Sequence, residues 1–204
     1  DYAFLTLDLQ PLVVQAGRRL FQVGEGRSYS NVGDGAELML SGDTWSLMGF
    51  ASRSLPHEAN VDLSVPGGKH SGRTFWGVEG RYIGFIGKGL YSYAVFQNDD
   101  GDEEPDDLTR EYDYDSQYFG FGSEGTLISN LRYASEIVLQ TGTSFTSGTN
   151  ERRDIEAWAM DMSLVYDVQV PLQPTLYGEY AFGSGDSDRA NVTDSVGGNL
   201  AGRD

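Results

Sequence analysis

Apolar and polar residues alternate along much of this chain with a period of two, the spacing of a β-strand whose two faces meet different surroundings. Residues 131–142 show it most plainly. Leu131, Tyr133, Ile137 and Leu139 share one side, interrupted by Ser135, and Arg132, Ala134, Glu136, Val138 and Gln140 hold the other. Residues 73–83 set Thr74, Trp76, Val78 and Tyr82 against Arg73, Phe75, Glu79 and Arg81. Residues 153–167 set Trp158, Met160, Met162, Leu164 and Tyr166 against Ala157, Ala159, Asp161 and Ser163. Leu176, Tyr180 and Phe182 oppose Tyr177 and Glu179, and Leu38 and Leu40 oppose Glu37. Two stretches resist this reading. Val14, Ala16 and Arg18 fall on one side of residues 12–22, which predicts a β-bulge or a displaced strand end. In residues 88–97, Leu90, Ala94 and Phe96 separate from Tyr91, Tyr93 and Val95, and neither side is marked as the apolar one.

The pattern predicts ten strands, at 2–9, 12–22, 35–42, 44–54, 73–83, 88–97, 116–124, 131–142, 153–167 and 174–182. Their connections alternate in length. Short ones fall at Gln10-Pro11, Gly42-Asp43, Gly84 to Gly87, Gly125 to Asn130 and Gln169 to Gln173. Long polar ones run through Arg27 to Asn31, Leu55 to Gly72, Asn98 to Asp115 and Gly142 to Arg152. A soluble sandwich has no reason to gather every long loop at one end, whereas an outer-membrane barrel turns tightly on the periplasmic side and loops widely outside. Strand length agrees: about 10 residues rising ~3.3 Å each and tilted ~45° span the apolar band of such a barrel. Trp and Tyr near the ends of the apolar faces fit its aromatic girdles. The fold expected is an all-β, transmembrane, antiparallel up-and-down barrel. Because the chain starts on strand-like Asp1–Leu5 and stops in loop-like Asn199–Asp204, residues 1–204 are expected to be one incomplete barrel domain, truncated at both ends.

Composition sharpens this picture. With 27 Gly and 6 Pro, the chain suits strands joined by turns better than helices. No apolar run approaches the ~20 residues of a spanning helix, which leaves strands as the way across a bilayer. A formal charge of −17 argues against nucleic acid as a partner. There are no cysteines, hence no disulfide framework and no thiolate chemistry.

Candidate chemistry is sparse. The run Asp99-Asp100-Gly101-Asp102-Glu103-Glu104-Pro105-Asp106-Asp107 offers oxygen ligands for Ca²⁺ at Asp99, Asp100, Asp102 and Glu103, without EF-hand spacing; a solvated outer loop is the plainer reading. Asp186, Asp188 and Asp194 read the same way. Gly120 to Gly125 matches G-x-G-x-x-G, but no helix follows to receive a pyrophosphate. Asn191-Val192-Thr193 matches a glycosylation acceptor without a context that would use it. His57 and His70 have neighbours that form no triad and no helical metal spacing, so no catalytic residue and no obligatory cofactor is expected.

Gly17-Arg18-Arg19 followed by Gly24-Glu25-Gly26-Arg27, with Asn31 beyond, resembles the alginate-export family of bacterial outer-membrane porins. So does Tyr177-Gly178-Glu179-Tyr180-Ala181-Phe182-Gly183-Ser184-Gly185-Asp186. The resemblance implies a monomeric barrel of about eighteen strands in the Gram-negative outer membrane. It also implies a pore for small solutes or anionic saccharides. In the alginate exporter the lumen is rich in arginine. Here the expected pore lining mixes Arg73, Arg81 and Arg132 with Glu37, Glu79, Glu136, Asp161 and Glu179, which favours a general porin over a polyanion track. The lipid bilayer and small solutes or saccharides are the expected partners. Two other functions compete: a barrel that serves as scaffold or surface binding module for a partner protein through its acidic outer loops, and a soluble carbohydrate-binding β-sandwich using Trp45, Trp76 and Trp158.

Overall fold

The computed structural model describes residues 2–54, 73–85, 88–99, 115–145 and 152–185. They form ten strands: β1 (Ala3–Asp8), β2 (Leu12–Gln22), β3 (Ser30–Ser41), β4 (Trp45–Ser54), β5 (Arg73–Phe85), β6 (Lys88–Asp99), β7 (Asp115–Ile128), β8 (Leu131–Phe145), β9 (Arg152–Asp167) and β10 (Thr175–Gly183). Each pairs antiparallel with the next, in the order β1 to β10, within one sheet. This is the up-and-down meander expected. Tight turns close its short-connection end: Leu9 N–H donates to Leu12 O at 2.8 Å, and Gly42 N–H to Trp45 O at 2.8 Å. No second sheet packs on the first among the described residues, so the sandwich alternative fails.

The register explains which residues share a surface. On the outward face, Arg18, Asp34, Arg53, Thr74 and Asn98 lie side by side across β2 to β6. Two residues nearer the short turns, the row reads Ala16, Ala36, Ala51, Trp76 and Phe96. Further rows add Val14, Leu38, Val78, Phe119 and Leu139, then Leu12, Leu40, Leu47, Phe121 and Ile137. This surface is apolar and uncovered: Ile137 is 51% exposed and Leu38 52%. An uncovered apolar band with a polar row at its long-loop edge is the surface a hydrocarbon layer requires. Trp76 stacks on Phe96, ring centroids 4.0 Å apart, near that edge, while Trp45 pairs with Tyr82 beside the short turns.

Three sequence expectations need correction. The register of β2 runs unbroken from Leu12↔Leu40 to Gln22↔Ser30, so there is no β-bulge. Arg18 remains on the outward face with Val14 and Ala16, paired with Asp34 by two 2.9 Å hydrogen bonds at the polar border. β3 begins at Ser30 rather than 35, which shortens the preceding connection to Val23–Tyr29. β7 extends to Ile128 and leaves a turn of Ser129-Asn130.

The inward face holds the buried core, and it is largely aromatic: Phe21, Tyr29, Phe50, Phe75, Tyr91, Tyr93 and Tyr118, with Val23 and Val95. The Val23–Tyr29 connection contributes Val23 and Tyr29 to it. From β3 to β10 is seven strand spacings, ~34 Å in a flat sheet at ~4.8 Å each. A seven-residue connection anchored on adjacent strands reaches at most ~12 Å beyond them. Its contacts extend to β10, so the wall must curl around it.

Candidate functional site

Glycine opens the Val23–Tyr29 loop. Gly24 has φ of 54°, and a Cβ there would lie 2.2 Å from Glu136 Oε2. Only glycine combines that turn with so close an approach to a carboxylate. Gly24 N–H donates to Glu79 on β5 at 2.5 Å, and Glu25 N–H to Glu136 on β8 at 3.0 Å. On the returning limb, Ser28 Oγ donates to the Tyr93 hydroxyl at 2.6 Å, and the Tyr29 hydroxyl shares a 2.7 Å hydrogen bond with Ser52. The Tyr29 ring lies against Phe50 and Phe75, with centroids 5.3 and 4.6 Å away. This burial pushes the Tyr29 hydroxyl up to about 12.

Glu136 is 2% exposed. A buried carboxylate is costly unless hydrogen bonds replace its water. Besides the Glu25 amide, it accepts from the Tyr91 hydroxyl at 3.0 Å and the Tyr93 hydroxyl at 2.8 Å. Those rings lie across β7, where Gly120 and Gly122 leave room: a Cβ at Gly120 would meet Tyr93 Cζ at 2.0 Å, and one at Gly122 Tyr91 Cζ at 2.1 Å. The G-x-G-x-x-G match is therefore a pair of recesses in a strand, unrelated to phosphate.

Arg81 links the loop to the wall. It pairs with Glu79 on its own strand, donates to Glu124 at 3.2 Å and to the Gly24 carbonyl at 3.0 Å, and covers the Tyr91 ring at 4.7 Å. Burial, then the neighbouring Glu124, raise the Glu25 carboxyl above its ordinary value, despite the opposing Arg81. At the loop's tip Arg27 reaches Asp161 on β9 at 3.3 Å and pairs with Glu179 on β10. Burial disfavours the Arg27 charge, but those two carboxylates outweigh it and raise its pKa.

Among the residues expected to line a pore, Glu79, Arg81, Glu136, Asp161 and Glu179 thus gather around one loop. Glu37, Arg73 and Arg132 share their face but stand apart. Glu37 accepts from Arg19 at 2.8 Å, Arg132 lies 3.4 Å from Asp167, and Arg73 is buried at the long-loop end of β5. In the motif stretches, Gly17 abuts the β1 backbone at Ala3 and Phe4, Gly183 ends β10, and Gly185 follows with φ of 65°. Asp186, Asp188, Asp194, both histidines and the Asn191 acceptor lie outside the described residues, as do Asp100, Asp102 and Glu103 of the acidic run, whose Asp99 ends β6. No cluster of three metal-ligating side chains occurs among the described residues. The sequence reading missed Tyr91, Tyr93, Gly120, Gly122, Glu124 and Ser28. The available signal was the alternation Tyr91-x-Tyr93 opposite Gly120-x-Gly122 on adjacent strands.

Comparison with known proteins agrees with this geometry. The chain is similar in fold to OmpT, an outer membrane protein of Vibrio cholerae solved in its trimer form, with a TM-score of 0.60 at 11% identity. The match covers 91% of this chain and 54% of that one, so the chain spans about half the length of its structural relative. No curated protein matches it at the sequence level. The family model described as alginate export matches residues 6–199. This outer-membrane β-barrel chain belongs to the alginate export family.

Proposed function

We propose that the chain forms more than half of the wall of a non-enzymatic outer-membrane channel, completed to about eighteen strands, that passes small solutes, anionic saccharides among them. The observation that carries this reading is the division of the sheet. Apolar side chains are uncovered outside, while charged and hydrogen-bonding groups, with a loop folded among them, occupy the inside. A channel needs that division, and an inward loop narrows its passage without closing the wall. Glu37, Arg81, Arg132, Asp161 and Glu179 line the passage in this reading, whereas Arg73, Glu79 and Glu136 are buried behind that lining. Arg19, Arg27, Arg81 and Arg132 offer cations to a sugar carboxylate, but each is already matched to a carboxylate, which favours a general pore over a continuous cationic track. Planar-bilayer recording of the folded protein is the direct test. Stepwise ionic currents are expected, and a membrane that stays silent after insertion would refute the channel.

A further inference from the structure

The Val23–Tyr29 loop is held on both sides of its tip. Gly24 and Glu25 are fixed by Glu79 and Glu136, and Ser28 and Tyr29 by Tyr93 and Ser52. These four partners are buried, and Glu136 is itself fixed by Tyr91 and Tyr93. Arg27, between the two limbs, differs. It is 47% exposed, and its guanidinium crosses alone from the loop to Asp161 and Glu179 on β9 and β10. A long, flexible side chain in an exposed ion pair is weakly held and screened by salt. Buried hydrogen bonds to a carboxylate are not. The backbone of the loop and the side chain at its tip therefore answer to different forces.

We infer that the loop is a fixed sill and that the Arg27 side chain is a movable bar across the gap between the sill and β9–β10, setting both aperture and ion preference there. This rests on the channel reading above. With Arg27 in place, its single positive charge offsets part of the negative charge of Asp161 and Glu179. Without it, the gap is wider and is bordered by two uncompensated carboxylates. Arg27 is then the specificity-determining residue, and Glu136 is a positioning residue that acts through the loop backbone.

The absence of native cysteine makes a single introduced thiol an unambiguous reporter. Ser28→Cys, buried beneath Tyr93, is expected to resist a maleimide reagent in the folded protein and to stay protected when Arg27→Ala is added. Adding Glu136→Ala should expose it. If that variant does not fold, Tyr91→Phe, which removes one hydroxyl bonded to Glu136, is expected to speed labelling less steeply. In bilayers under a salt gradient, Arg27→Ala should raise unitary conductance and move the reversal potential toward cation preference, and Arg27→Lys should restore the potential. Unchanged conductance and potential in Arg27→Ala would overturn the movable bar. Labelling of Ser28→Cys in that background would overturn the fixed sill. Silence of every variant and of the parent would refute the channel itself, while the labelling series still decides whether the loop is held independently of Arg27.

Discussion

On β8, Glu136 and Ile137 are neighbours in sequence and opposites in setting. The carboxylate is buried beneath tyrosines, whereas the aliphatic side chain stands half uncovered. The same inversion divides the whole sheet. Inside, polar groups such as Glu79, Glu136 and Tyr93 are buried and matched, as satisfied hydrogen bonding requires, with Ser116 Oγ and Asp161 Oδ2 as exceptions among the described residues; outside, apolar groups are bare because their partner is lipid. Burial and hydrophobicity thus part company here, and position relative to the sheet's two faces decides the cost of a substitution.

The largest effect should come from confusing those faces. Ile137→Arg, in the middle of the apolar band, is expected to lower unfolding stability in vesicles by about 2–4 kcal/mol, the cost of an arginine at the bilayer midplane. Ala134→Arg, on the inward side of the same strand, should change it by less than about 1 kcal/mol. Equal losses in urea titrations would break the distinction. A smaller contrast separates two glycines. Gly120→Ala drives a methyl into the Tyr93 ring and should cost about 1–3 kcal/mol. Gly80→Ala, with nothing within 4 Å, should be neutral or stabilise by about 0.4–1 kcal/mol.

The smallest effect concerns acidity. Glu25 faces Glu124 and Glu136, with Arg81 opposing them and Glu79 bonded to the adjacent Gly24 amide. Its carboxyl holds a proton more tightly in the folded state than in the unfolded one. Stability therefore declines as pH rises from the unfolded pKa of 4.5 through the raised folded value, and levels off above it. Glu25→Gln removes that dependence. Its melting temperature should match the parent in acid and exceed it slightly at neutral pH; a gap that widens toward acid would contradict the assignment.

The wall was legible in the sequence because its cause is local: an alternation of side chains and a rhythm of turns. Leu139 and Trp158 announce the outward face of their strands without reference to any other element. β6 was ambiguous because Tyr91, Tyr93 and Val95 are buried inside while Leu90 and Phe96 face outward, so both sides read as apolar; only the partners of the tyrosine hydroxyls separate them. Arg18 seemed to demand a bulge because its counterion, Asp34, sits on another strand. The site was legible only as a scatter of charges. Gly24-Glu25-Gly26-Arg27 looks like a polar outer loop until Glu79, Glu136 and Glu179 are brought to it from later strands.

Those separations carry a consequence for assembly. The bonds that seat the loop join residues 55, 111 and 152 positions apart. Loop-closure entropy grows with such distances, and contacts this remote form late. The hairpin from Leu12 to Ser41 can zip early, and its bend can then find Ser52 on β4 and Glu79 on β5, but Arg27 has no counterions until β9 and β10 have been laid beside it. Full seating of the loop from Gly24 to Arg27 therefore reports that β5, β8, β9 and β10 have all been brought around it, and a maturing chain stays open through its middle until then.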